Sequence, residues 1–314
     1  MPIYVKDGGT FREISSDAGS QVYVRDGTSF TNKTITNAYV KDGGVWRTVF
    51  TLFDTPGSFT TAGSGTTNQN VPANANAIHI QAAVGGGGGG NAGQAYDKAG
   101  GEQGGPGGGS GAFVSDVVFS VTGGEQLTFV VGAAGAAGSN SYTGGGPATA
   151  GTTTLSGNTT GAMFTLIGGG SGQVTGGGVQ GPLATLTGGS AGTVAQIGTR
   201  LTSGTTVDGL NITSFNSGPV GSFNQSGSGA AGSNGITYPG DNANGVGADG
   251  ADSYSGNIDG GTGGDAGNGG PYEPGQVGNT GDRGSGGGGG GTEQGAPGGP
   301  GGAGEIKYRY IRIA

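Results

Sequence analysis

Between residues 275 and 304 glycine returns at every third position: at 275, 278, 281, 284, 287 and 290, and, after a slip at Thr292-Glu293-Gln294, at 295, 298, 301 and 304. A repeat of three belongs to the extended left-handed helix of polyproline II and collagen, and fits neither an α-helix nor a strand. Shorter runs with the same period occur at Gly101-Gly104-Gly107, Gly132-Gly135-Gly138 and Gly261-Gly264-Gly267-Gly270. Glycine makes up 83 of the 314 residues, so it dominates any account of folding. Ordering one residue costs roughly 1–2 kcal/mol, and a glycine returns no side-chain burial. Such tracts are either flexible linker or threefold helices packed side by side. In the second case the missing Cβ lets backbones approach closely enough to hydrogen-bond to one another. With only 12 prolines and frequent interruptions, a collagen rope is disfavoured against short rods stacked within one globule.

Strand-like segments interleave with the glycine. Ala77–Val84 runs directly into six glycines, 85–90. Ala112–Val121, Gln126–Val131 and Ala162–Ile167 also read as strands, and Glu305–Ile313 alternates as a half-buried closing strand, expected to pair with 77–84. No stretch reads as a capped helix. The recurring grammar is a short apolar strand followed by a glycine tract.

The first fifty residues carry a threefold repeat: Tyr4-Val5-Lys6-Asp7-Gly8, Tyr23-Val24-Arg25-Asp26-Gly27 and Tyr39-Val40-Lys41-Asp42-Gly43. Each copy is followed by a second aromatic: Phe11, Phe30 or Trp46. Asp-Gly between short β-prone runs predicts a hairpin in each copy. A lone hairpin is marginal in water, so three in series point to a docking or oligomerisation module, with Tyr4, Phe11, Tyr23, Phe30, Tyr39 and Trp46 as its candidate docking residues. The expected class is all-β: a small N-terminal hairpin-repeat module (1–50), a junction (51–65), and a glycine-rich, sandwich-like body (66–314) with extensive polyglycine-II or irregular segments.

Net charge is −8, unevenly spread. Residues 1–50 hold six basic and five acidic side chains, and 305–314 hold three and one. The middle therefore carries three basic groups (Lys98, Arg200, Arg283) against fourteen acidic. That sign repels nucleic acid, whose binding depends on Lys and Arg at phosphates. The absence of cysteine removes disulfides, zinc-thiolate sites and thiol nucleophiles. A single histidine, His79, leaves no multi-histidine metal cluster. No apolar run approaches the roughly 20 residues of a membrane span. The N-terminus lacks the apolar core of a secretory signal, so synthesis in a cytoplasm is expected.

No Gly-Lys pair exists to build a phosphate loop. Gly260–Asp265 begins like a calcium β-roll repeat, but Gly267 stands where a large apolar residue is needed. Asp241-Asn242-Ala243-Asn244-Gly245 could offer oxygens to calcium, and an Asx-rich turn explains it as well. His79, between Ile78 and Ile80, reads as structural or surface, and no two acids are marked as a catalytic pair. Neither an enzyme nor a cofactor is expected. Tyr96, Tyr142, Tyr238, Tyr254 and Tyr272 stand out instead, each isolated among Gly, Ser, Asn and Asp. Tyrosine set among small flexible residues is the composition of antibody paratopes, where it gives contact area at low entropy cost. They are the candidate receptor-binding residues; the plain alternative is that each covers the edge of a glycine layer.

Several segments together resemble the glycine-rich domain of bacteriophage tail-fibre proteins. They are Phe59 through Val71-Pro72-Ala73 to Ile78, the glycines after Val84, the strand pair within Gly109–Val131, and the last glycine tract with its terminal strand. The threefold runs are similar to those of the adhesins that cap the long tail fibres of T-even phages, whose glycine blocks are more regular. The 4–47 repeat is similar to repeats at the N-termini of phage structural proteins. The resemblance implies polyglycine helices packed between loops that touch a host surface glycan or outer-membrane protein. It implies a virion appendage, tail fibre or fibre tip, either homotrimeric like fibres or single-copy like capping adhesins. The other expectation is a capsid decoration or structural fibre without a receptor role.

Overall fold

A computed structural model describes residues 59–73, 75–93, 102–138, 150–175, 185–201, 247–253, 275–291 and 296–311. It also describes the backbone of strands within 3–51, 206–211, 225–227 and 237–238. Among the described residues there is no helix.

The N-terminal repeats form three antiparallel pairs. They are β1 (Ile3–Asp7) with β2 (Thr10–Ile14), β3 (Gln21–Asp26) with β4 (Ser29–Thr34), and β5 (Asn37–Asp42) with β6 (Val45–Thr51). Asp7 faces Thr10, Asp26 faces Ser29 and Asp42 faces Val45, so each aspartate ends its first strand and two residues make the connection. The side chains of Tyr4, Phe11, Tyr23, Phe30, Tyr39 and Trp46 lie outside the described residues.

The body strands follow in order: β7 (Thr60–Thr61), β8 (Gly65–Asn70), β9 (Ala77–Val84), β10 (Glu102–Gln103), β11 (Phe113–Ser120), β12 (Gln126–Val131), β13 (Thr153–Gly157) and β14 (Gly161–Leu166). After them come β15 (Gln173–Thr175), β16 (Thr185–Thr187), β17 (Val194–Ile197), β18 (Thr206–Val207), β19 (Leu210–Asn211), β20 (Gln225–Gly227), β21 (Thr237–Tyr238) and β22 (Glu305–Ile311). Two five-stranded antiparallel sheets result, ordered β20-β11-β9-β22-β7 and β17-β14-β13-β12-β8. The closing strand pairs with β9 as the sequence suggested, Glu305 opposite Val84 and Ile311 opposite Ala77. The junction 51–65 contributes β7, whose Thr60 and Thr61 sit opposite Tyr308 and Lys307.

The sheets form a sandwich, because their inner faces share one apolar cluster. Ile78, Ile80, Val117, Phe119 and Ile306 from the first sheet pack with Leu127, Phe129, Leu155, Phe164 and Leu166 from the second. Phe119 meets Phe164 with ring centroids 6.2 Å apart, and Phe129 meets Tyr308 at 4.6 Å. Burying each such ring stabilises by about 1.5–3 kcal/mol, so a small core suffices to anchor what is built on it.

The glycine tracts grow out of one end of this sandwich, and their hydrogen bonds repeat with period three. In residues 85–93, Gly87, Gly90 and Gly93 donate to the carbonyls of Gly302, Gly299 and Ala296, while Gly85, Gly88 and Asn91 donate to Ala112, Gly109 and Pro106. The same tract accepts from Gly135 and Gly138, from Gly169 and Gly172, and from Gly287 and Gly290. Residues 284–291 are surrounded likewise, donating in turn to 248–251, to 88–91 and to 276–279. A threefold helix points successive N–H groups about 120° apart. It can therefore bond to several neighbours at once, where a strand bonds to two. The tracts leaving the sandwich (85–93, 132–138, 168–172) alternate with those returning to it (105–112, 189–192, 296–304).

The packing leaves no room for side chains. A Cβ on Gly87 would lie 1.7 Å from the Ser285 carbonyl oxygen, one on Gly88 1.9 Å from that of Gly170, and one on Gly301 1.9 Å from that of Gly87. Among the described tract glycines only Gly284 has a left-handed φ, 78°. The tracts thus use glycine for its missing Cβ and not for its freedom to adopt positive φ.

Candidate functional site

Three places merit attention: a buried polar group on the first sheet, a carboxylate tying two turns together, and the far end of the glycine bundle.

His79 on β9 and Asp116 on β11 are each 1% exposed. Arg309 Nε donates to His79 Nδ1 at 3.3 Å, which leaves the neutral ring's proton on Nε2, 3.4 Å from Asp116 Oδ1. Burial lowers the His79 pKa and the Arg309 charge adds to that, while the Asp116 hydrogen bond and charge pull it back up. Asp116 holds φ at 49°, unusual for a residue other than glycine, and the β9–β11 pairing passes over the Asp116/Gln81 position without a shift of register. Phe59 stands edge-on to His79 at 5.2 Å, with the Arg309 guanidinium 4.8 Å from its ring centre. An acid–base catalyst must reach a substrate. This group is closed off, and it fastens the chain entering from the N-terminal module to the sheet. The sequence flagged His79 alone; Asp116 and Arg309 were hidden because nothing local pairs them with it.

Glu125 is also buried. Its carboxylate accepts from the N–H groups of Thr122 (2.6 Å), Thr159 (3.3 Å) and Thr160 (3.0 Å) and from the Thr160 hydroxyl. Burial pushes its pKa up, but these hydrogen bonds outweigh that and hold it below the ordinary value. It joins the 122–125 turn, where Gly124 has φ 83°, to the β13–β14 turn, where Gly161 has φ 81°. This too is a structural fastening.

The far end is where the described tracts hand over to their connections. β10 pairs with β21 there, Glu102 opposite Tyr238, and β15 pairs with β16. Asn91 is 2% exposed at this end; its Oδ1 accepts from the Ala92 N–H at 2.8 Å and its Nδ2 donates to the Gly172 carbonyl at 3.4 Å. Gln173 donates to the Ser171 hydroxyl at 2.7 Å, and its own side chain is exposed.

Of the candidate receptor-binding tyrosines, Tyr238 is described as backbone in β21, while Tyr96, Tyr142, Tyr254 and Tyr272 lie outside the described residues. Tyr96, Tyr142 and Tyr272 each fall within four residues in sequence of Gly93, Gly138 or Gly275, the far-end limits of their tracts. Tyr254 instead follows Ser253, whose N–H bonds to Ser285 Oγ at the sandwich side. The Asp241–Gly245 and Gly260–Asp265 segments are outside the described residues. Among those described, no cluster of three or more metal-ligating side chains occurs.

No curated protein sequence matches the chain. Residues 60–311, spanning both sheets and the glycine tracts between them, match a family described as a glycine-rich domain. The chain belongs to that glycine-rich domain family.

Proposed function

We propose that this protein is a phage virion appendage, a tail fibre or fibre tip, that attaches the particle to the host cell surface. Residues 1–50 dock to other virion proteins, and the far end of the glycine bundle meets a surface glycan or outer-membrane protein. The observation that carries this reading is the polarity of the body. β7 runs antiparallel to β22, which leads away from the glycine tracts, so the chain from the hairpins enters at the pole opposite the bundle. Tyr238, and the tract ends adjoining Tyr96, Tyr142 and Tyr272, belong to the other pole. A rigid rod-like bundle would hold such a surface away from the particle, and tyrosine in a small-residue setting binds at low entropy cost. The resemblance of the strand–glycine grammar to phage tail-fibre domains supports the same direction.

Purified protein should bind cells susceptible to the phage and block its adsorption in excess. Replacing Tyr96, Tyr142 and Tyr272 together by serine should abolish blocking while leaving thermal stability within about 1 kcal/mol, as for surface changes. Protein that labels the particle but neither binds cells nor blocks adsorption would favour the decoration role. Release of reducing ends from host polysaccharide would replace both with an enzyme.

A further inference from the structure

The two large sheets guard their edges unequally. In the first sheet the edge strands are β7, two residues long, and β20, three. In the second, β17 spans four residues and its pairing shifts register at Thr165/Leu166. Short edges and bulges are devices against unwanted pairing, as are charges. Each strand of the N-terminal hairpins carries at least one Asp, Glu, Lys or Arg. β8, Gly-Thr-Thr-Asn-Gln-Asn, has none of these protections. It is six residues long, pairs with β12 in unbroken register, and contains neither charge nor proline. Its other edge bonds to nothing among the described residues, and Thr66, Asn68 and Asn70 are exposed. Gln69 faces inward instead, accepting from the Tyr308 hydroxyl, so the strand's face is fixed.

We propose that β8 is a self-association edge, at which two copies of this chain pair β8 against β8 in antiparallel fashion. The charge pattern selects this occupant. The chain carries −8 overall, which drives copies apart, yet no Asp, Glu, Lys or Arg occurs between Asp54 and Asp97. The neutral stretch that contains β8 is thus a place where two such molecules can meet without like-charge repulsion. A twofold axis normal to the sheet keeps both outer faces on the same side. A register centred on Asn68 sets Asn68 opposite Asn68 and Thr66 opposite Asn70. Two five-stranded sheets become one continuous sheet. Thr and Asn side chains facing across such a pair hydrogen-bond, whereas like charges there destabilise. Pairing through one strand buries little area, so the association is weak and concentration-dependent.

The test is sedimentation of the full chain over a concentration series, with Asn68→Lys and Asn68→Glu variants. The wild-type mass should rise with concentration. Each variant alone should lose that rise while melting as the wild type does, and an equimolar mixture of the two should regain it. A wild type that stays monomeric throughout overturns the proposal. So does association that both variants retain, or a mixture that remains monomeric.

Discussion

At the scale of single residues, the tract 296–304 shows how a threefold helix assigns its positions. Gly299 and Gly302 donate to Gly288 and Ser285, and Gly301 and Gly304 donate to Gly135 and Gly132. The remaining third, Pro297, Pro300 and Ala303, faces outward and is at least partly exposed. Proline lacks an N–H, and it stands where an N–H would have pointed to solvent. Pro300→Ala should therefore change stability by less than about 1 kcal/mol. Gly299→Pro should prevent folding, because it removes the 2.7 Å bond to Gly288 and drives a ring towards the Asn279 carbonyl. Gly301→Ala should cost about 3 kcal/mol or more, the upper end of overpacking, since its Cβ would collide with backbone that cannot swing aside. Gly63→Ala, with open space around it, should stay within about 0.5 kcal/mol of wild type. Thermal unfolding of the four variants checks the set.

His79 makes a prediction in pH. Its folded pKa lies below the ordinary 6.5, so the unfolded chain takes up a proton first as pH falls. Its neutral form is fully compatible with the fold above pH 6.5. Stability is then lost as pH drops from 6.5 through the folded value, and levels off below it. A melting temperature followed against pH should show that slope in the wild type, and His79→Gln should flatten it.

At the scale of elements, the strands legible in the sequence were those with strong apolar patterns. β9 and β12 have the bounds that pattern gave, and β11, β14 and β22 differ by one or two residues at their ends. β8 and β13 escaped because Thr, Asn, Gln and Ser fill them. β8 is placed by β12, 60 residues on at the Asn68–Thr128 pair, and no local pattern carries that. β13 pairs with β12 and, through a short turn, with β14, but its polar composition hides the hairpin. The glycine period misled in one respect. The unbroken phase from 275 to 290 reads as one rod, yet the chain reverses at Asp282–Ser285, where the Ser285 N–H bonds to the Asp282 carbonyl at 2.6 Å. Gly281 and Gly284 stay in phase through the turn, so the count of three cannot reveal it. Arg283 then pairs with Glu305 at 3.2 Å, docking the turn beside β22. Ordering a glycine costs roughly 1–2 kcal/mol, while a main-chain hydrogen bond returns about 0.5–1.5. The tracts thus come close to balance and depend on the sandwich for their surplus. A synthetic peptide of residues 275–304 alone should be unstructured by circular dichroism and NMR.

At the scale of the molecule, the sandwich and the bundle are one cooperative body, since every long tract begins or ends in a strand or bonds to one that does. Phe129→Ala, which opens the core by roughly 3–5 kcal/mol, should melt sheets and tracts in one transition. The candidate site was legible only as residue types. Isolated tyrosines were visible, but the pole reached by each neighbouring tract end is a property of the hydrogen-bond lattice: Gly93 and Gly138 end their tracts at the far end, whereas Ser253 bonds to Ser285 at the sandwich side. The hidden Asp116–His79–Arg309 group likewise joins three strands that are neighbours only in the sheet.

The central claim is that the glycine tracts are an ordered lattice of main-chain hydrogen bonds, and amide hydrogen exchange in the intact protein tests it most directly. Gly87, Gly88, Gly90, Gly108, Gly287 and Gly290 should exchange as slowly as the core of β9. Within 299–304, residues 299, 301, 302 and 304 should be slow and the outward Ala303 fast. Exchange across these tracts at the rate of an unstructured peptide, while β9 stays protected, would contradict the account.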